Sequence, residues 1–284
     1  MSGTYHTALP QYAKHLTDDG SIEEIMWRMM IWYYDQMGFV YVPSRATGDE
    51  LVERGIGLHK ILVYPRGVDT KRFNPGNRNG VFDKSEPLRS SVKLLYVGRV
   101  SKEKNLPQLA NAFRRLAQEA GEVLLVVVGD GPYLPEMQEI LKDCPCTFSG
   151  FKSGAELDTI YASSDLFVFP STTDTFSNVV LEAQASGIPV IVTDQGGPKE
   201  NLIDGETGVI VVGNNETALF NAMRDLACNR ARLDAMGKAA RRYAETRSFE
   251  SAFLRTWDLL TAAPQPAEAP LHPSFIPATL TGLV

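Results

Sequence analysis

Two carboxylates stand eight positions apart in the run Asp174-Thr-Phe-Ser-Asn-Val-Val-Leu-Glu182. An apolar strand pattern, Leu166-Phe-Val-Phe-Pro-Ser171, precedes the first, and the second falls in the opening turns of a predicted helix. A polar loop that enters a helix offers unpaired backbone N–H groups beside acidic side chains. Such a set can hold a sugar by its hydroxyls and a phosphate by the main chain. Taken singly, each acid also has a structural reading: Asp174 as an Asx-type loop or cap residue, Glu182 as a carboxylate favoured by the helix dipole.

A second cluster follows an earlier strand pattern, in Val97-Gly-Arg-Val-Ser-Lys-Glu-Lys-Asn105. Gly98 lets a ligand approach the backbone, and Arg99 and Lys104 flank a short loop leading into a helix, an arrangement suited to a diphosphate. The competing reading is a solvated charged turn over 102–104 with Arg99 in a surface ion pair. Gly129-Asp-Gly-Pro132 is turn chemistry at another strand end, too short for a dinucleotide fingerprint, and the sequence has no Gly-x-x-x-x-Gly-Lys-Ser/Thr P-loop.

These residues need a scaffold, and 92–212 supplies its pattern. Nearly continuous apolar runs at 92–98, 123–129, 166–169 and 189–193, with weaker ones at 146–150 and 209–212, predict strands buried on both faces. Amphipathic segments at 106–119, 134–142, 155–163 and 179–186 alternate with them. Repeated βα units of this kind imply an α/β fold, a Rossmann-like doubly wound parallel sheet with ligands at the carboxyl ends of its strands. Gly98, Gly129, Gly150 and Ser171 all fall at those ends. Residues 214–262 read as helices only, and the Pro-rich segment 263–284 as a disordered tail. Before this region lie a helix over 22–37, a short strand over 39–42 and a helix over 46–54, too little for a second complete α/β domain.

The bulk numbers exclude several function classes. A formal net charge of −6 gives no broad basic surface for nucleic acid. Three cysteines, Cys144, Cys146 and Cys228, are too few for a disulfide framework or a structural zinc site, and read as reduced thiols of a cytosolic protein. The first six residues have no leader-like pattern, and charges at Glu23, Glu24, Arg28 and Asp35 interrupt the Met- and Trp-rich stretch 22–42. The expected location is cytoplasmic, with peripheral attachment at the inner face of the membrane as the alternative.

The order of the motifs carries more than any one of them. Tyr96-Val-Gly-Arg-Val-Ser-Lys-Glu-Lys-Asn-Leu106, Val128-Gly-Asp-Gly-Pro132, Phe148-Ser-Gly150, Asp174-x7-Glu182, Gly187-Ile-Pro-Val190 and Gly196-Gly197 together resemble the retaining GT-B glycosyltransferases of group 1, or family 4. The resemblance covers about residues 60–262 and looks nearest to bacterial mannosyl- and other glycosyltransferases and to sulfoquinovosyl-diacylglycerol synthases. It implies a hexosyl transfer from a nucleoside-diphosphate sugar to a lipid or saccharide hydroxyl, with no cofactor and no metal. Arg99 and Lys104 would then hold the donor diphosphate, Asp174 the transferred sugar and Glu182 the ribose. The backbone from Phe176 through Ser177 and Asn178 to Val179 would meet sugar hydroxyls and phosphate, and Gly150, Phe151 and Lys152 the nucleobase. In Tyr5-His-Thr-x-x-Pro-Gln-Tyr12, His6 matches a position near the reaction centre.

This chain departs from the family pattern in three ways. Asp174 replaces the commoner Glu, and Ser177 stands where Gly is usual. The third departure is in the domains: residues 1–60 resemble only the end of an N-terminal, acceptor-side domain, so the expectation is a truncated N-terminal domain before a donor-binding domain over 61–262. A separate N-terminal chain or a second copy is then an expected partner. The alternative function is a nucleotide-sugar-binding module inactive alone.

Overall fold

The computed structural model describes residues 1–17, 19–83, 86–120 and 122–262; the Pro-rich segment lies outside them. The chain begins with β1 (Ser2–Thr4), α1 (Leu9–Thr17), α2 (Gly20–Asp35), β2 (Phe39–Val42), α3 (Arg45–Glu53) and β3 (Ile61–Val63). The three strands form a parallel sheet in the order β1-β2-β3. Trp27 and Tyr34 of α2 pack with Tyr5, Val40, Val42 and Leu51 in a core of their own. The opposite face of α2 leaves Ile25, Met29 and Trp32 exposed. Tyr5 is buried and its amide bonds to the Tyr41 carbonyl at 2.9 Å. The segment before His6 is therefore an ordered strand, which no local pattern in so short a stretch indicates.

A larger parallel sheet follows, built from α4 (Glu86–Ser90), β4 (Val92–Val97), α5 (Leu106–Ala120), β5 (Val123–Val128), α6 (Leu134–Ile140) and β6 (Cys146–Phe148). It continues through α7 (Gly154–Ala162), β7 (Leu166–Phe169), α8 (Asn178–Ala185), β8 (Val190–Thr193) and β9 (Gly208–Val211). The strand order is β6-β5-β4-β7-β8-β9, the doubly wound arrangement expected from the repeated βα pattern. Every residue of β4, β5, β7 and β8 is buried, which explains why these strands read as continuous apolar runs rather than alternating ones. Leu106, Leu109, Phe113 and Leu116 form the buried stripe of α5.

Three helices close the described residues: α9 (Glu216–Ala227), α10 (Arg230–Glu245) and α11 (Phe249–Ala262). The side chains of Asn215 and Asn229 cap the first two, accepting from the amides of Ala218 and Arg232. Just before α11 the chain returns to the linker between the sheets, where Val68 N–H bonds to the Arg247 carbonyl at 2.9 Å.

The two sheets meet along a polar seam. The Glu200 carboxylate accepts from the amides of Arg45 (2.9 Å) and Ala46 (2.7 Å), so an acid of the larger sheet caps α3 of the smaller one. Thr47 Oγ1 donates to the Thr175 carbonyl at 3.3 Å, and Ser44 caps α3 from its own side. Gly197 fits this seam because it has no side chain: a Cβ there would lie 1.9 Å from the Thr175 carbonyl oxygen.

Candidate functional site

In a doubly wound sheet the natural ligand crevice is the point where consecutive connections leave on opposite sides. Here that point lies between the adjacent strands β4 and β7. The loop after β4 carries Gly98, Arg99 and Lys104, and the loop after β7 carries Asp174. The topology thus brings together two motifs seventy residues apart.

They meet in an ion pair. Lys104 Nζ lies 3.0 and 2.8 Å from the two oxygens of Asp174 and also donates to Tyr12 Oη at 3.2 Å. Burial alone would lower the Lys104 pKa; the charge and hydrogen bonds of Asp174, helped by Tyr12, outweigh it and leave the ammonium above its ordinary range. Tyr12 comes from α1, so the smaller sheet's layer supplies a ligand to the pair. Beneath it Tyr96, fully buried, donates through Oη to the Arg99 carbonyl at 2.8 Å and fixes the loop. The Arg99 side chain is exposed above that anchor.

The backbone around these groups is tightly built. Gly129 N–H bonds to the Gly150 carbonyl at 2.9 Å, and a Cβ on Gly129 would lie 1.9 Å from the Gly98 carbonyl oxygen. The strand-end glycines therefore let three loops stack backbone on backbone. Beyond Gly150, Phe151 is 80% exposed and Lys152 pairs with Glu156 at 3.2 Å.

At the start of α8 the fully buried Asn201 donates through Nδ2 to the carbonyls of Phe176 (2.6 Å) and Ser177 (3.4 Å). Phe176 is buried, Asn178 is exposed, and Val179 packs on the core. Ser177 adopts φ 67°, ψ 89°, backbone space that favours glycine, and its buried Oγ has no hydrogen-bond partner among the described residues. One turn into the helix, Glu182 Oε2 accepts from Tyr161 Oη at 2.9 Å. Burial raises the Glu182 pKa, opposed by the Tyr161 hydrogen bond and the Arg72 charge.

His6 stands exposed beside the Asp174 loop, and it is its carbonyl that makes the contact, accepting from Thr175 Oγ1 at 2.9 Å. A cleft of about 410 Å³ opens there, lined by Gln11, Thr47, Glu50, Asp174, Thr175 and Lys199 among others. The structure thus joins Lys104 to Asp174 and sets the His6 carbonyl against Thr175, while Arg99 is exposed on the loop that carries Lys104 and the Ser177 turn follows three residues after Asp174. Tyr12, Tyr161, Glu200 and Asn201 were not singled out by sequence reasoning. Their partners lie 92, 21, 154 and 25 positions away, a distance at which spacing holds no signal.

Known proteins resemble this chain in sequence and in fold. The sulfoquinovosyl transferase SQD2 of Arabidopsis thaliana is 30% identical over 257 residues, covering 88% of this chain and 49% of that protein. A GDP-mannose-dependent alpha-mannosyltransferase of Corynebacterium glutamicum is 40% identical over 170 residues, covering 60% of this chain and 39% of that protein. The chain spans about half the length, or less, of these relatives. The crystal structure of Anabaena HepE with UDP-glucose superposes with a TM-score of 0.78 at 19% identity, over 92% of this chain and 72% of that one, and shows the shared GT-B fold. Residues 81–243 match the sequence model of one family. By that match, the chain belongs to the glycosyl transferases group 1 family.

Proposed function

We propose that the crevice between β4 and β7 transfers a sugar, with retention of anomeric configuration, from a nucleoside-diphosphate sugar to a hydroxyl of a lipid or saccharide acceptor. The observation that carries this reading is the Lys104–Asp174 pair at the topological switch point. It sets a buried cation for the diphosphate beside a carboxylate for the sugar. As the bond from the anomeric carbon to the diphosphate oxygen breaks, that oxygen keeps the electron pair, and Arg99 and Lys104 offset its growing charge. The acceptor oxygen bonds to the same face of the anomeric carbon, and its proton passes to the departing phosphate oxygen. Glu182 takes the ribose hydroxyls, the α8 N-terminus the phosphate and sugar, and Gly150, Phe151 and Lys152 the base. His6 and the 410 Å³ cleft lie on the acceptor side.

In this reading the smaller sheet forms the acceptor side and the larger one the donor side; the boundary expected between residues 60 and 61 falls instead after β3, because Ile61–Val63 pairs with β2. The free cysteines suit a cytoplasmic setting; among the described residues no helix is long and apolar enough to cross a membrane. A second reading, a donor-binding module that meets its acceptor through another chain, is favoured by the exposed apolar face of α2, with Ile25, Met29 and Trp32.

Titration of the purified chain with UDP, GDP and ADP and their nucleosides tests the site. Arg99→Ala and Lys104→Ala are expected to weaken diphosphate binding by about tenfold or more and leave nucleoside binding nearly unchanged. Equal losses for both would remove the diphosphate assignment. Binding of a nucleotide sugar without turnover, restored by an added acceptor-side chain, would favour the module.

A further inference from the structure

An open cavity that borders both sheets is not used by the reaction just described. It is a cavity of about 990 Å³ between β2, β3, the 64–66 linker, the Phe176 turn and α11. That volume is at the upper end of small-molecule pockets, roughly 300–1,000 Å³. Phe39, Leu62, Val63, Pro65, Phe176 and Leu259 give it an apolar wall.

Four arginines line the same cavity, Arg45, Arg66, Arg247 and Arg255, against two carboxylates, Glu200 and Asp258. Both Glu200 oxygens are engaged by the amides that open α3. Among the described residues no carboxylate lies within ion-pair distance of these four arginines. Arg66 instead donates to Tyr64 Oη at 2.9 Å and lies 5.6 Å from the Phe176 ring centroid, while Arg247 lies 5.1 Å from that of Tyr243. A cationic rim of this kind, in a chain of net charge −6, calls for an anion from outside.

We propose that this cavity binds an anionic single-chain lipid, its phosphate on the guanidinium rim and its alkyl chain along the apolar wall. A free phosphate would leave that wall unused, and a neutral amphiphile would leave the arginines unpaired. The site is separate from the sugar-transfer crevice. The cleft beside Asp174 takes Ala46, Thr47, Thr175 and Lys199, whereas this cavity takes their neighbours Arg45, Phe176 and Glu200, and the two share no lining residue. Phe176 touches the cavity two residues from Asp174, and through it an occupant would bear on the reaction loop.

Calorimetric titration of the full chain with dodecyl phosphate below its micellar concentration tests the proposal, with inorganic phosphate and dodecyl maltoside as comparators. Dodecyl phosphate is expected to bind one to one, at least tenfold more tightly than either. Arg255→Gln, an exposed helix position, should weaken it by about tenfold; Asp258→Asn should strengthen it by about twofold. Both variants should bind UDP, GDP and ADP like the parent chain. Equal binding of inorganic phosphate or of the maltoside would overturn the amphiphile assignment. Displacement by nucleoside diphosphate, or unchanged affinity in both variants, would overturn its location.

Discussion

Lys104 keeps its charge at a place where burial works against it. Its ammonium is held by Asp174, about one-fifth exposed, and by Tyr12. Replacing Asp174 by Asn therefore does two opposite things. It leaves a half-paired buried cation, at a cost below the roughly 3–5 kcal/mol of a fully buried broken pair. It also releases that cation for a phosphate. Asp174→Asn is expected to tighten nucleoside-diphosphate binding several-fold while abolishing sugar transfer, read by calorimetry beside a turnover assay; weaker diphosphate binding would place Asp174 on the phosphate side. Glu182 gives a pH signature. Its folded pKa is raised by burial above the unfolded value, so the folded state holds the proton more tightly. Its ionisation then costs stability, and that cost grows as pH rises from the ordinary glutamate range through the folded pKa. Glu182→Gln should melt higher than the parent at pH 7 and lose that advantage once the pH falls below the ordinary glutamate range; an advantage that persists in acid would point to packing instead.

At the scale of elements, the turn into α8 is the strained point. Ser177 occupies a glycine-type conformation, and its buried hydroxyl has no partner among the described residues. Positive φ costs a non-glycine residue about 1–2 kcal/mol, partly offset by the greater unfolded-state freedom of glycine. Ser177→Gly should therefore stabilise the chain by roughly 1 kcal/mol in urea unfolding, because no hydrogen bond is lost. A destabilised variant would show that the hydroxyl has a role in this turn. The motif order made this turn legible as a site, since Ser stands where a glycine is usual. Its conformation was not legible, because φ at one residue is imposed by the tie of Asn201 to the Phe176 and Ser177 carbonyls.

Across the whole molecule, the two sheets are joined by Glu200 at the start of α3 and by the contact of Thr47 with Thr175. A helix cap of this kind contributes about 0.5–2 kcal/mol. Glu200→Ala should cost about that much and speed hydrogen exchange at the Arg45 and Ala46 amides, while amides of β4 and β5 stay protected. Equal acceleration throughout would mean that the sheets unfold as one unit whatever the seam does. The seam also explains why His6 and Tyr12 lie at the crevice. Both belong to the smaller sheet's layer, yet they touch Thr175 and Lys104 of the larger one.

The sequence by itself determined the six strands of the larger sheet, the helices between them, Glu182 on one of those helices, and the loops that bear Arg99, Lys104 and Asp174. Burial on both faces writes itself into continuous apolar runs, and glycines mark the strand ends where backbones touch. Only the tertiary structure decided that Lys104 and Asp174 hold each other, that Tyr12 joins them, and that Tyr161 holds Glu182. It also decided that Ser2–Thr4 and Ile61–Val63 complete a second sheet around Phe39–Val42. Three-residue strands are too short to show a period, and an ion pair across seventy positions exists only once the β4 and β7 loops have been set side by side. Local pattern records what each segment buries; which charge answers which is fixed by the fold.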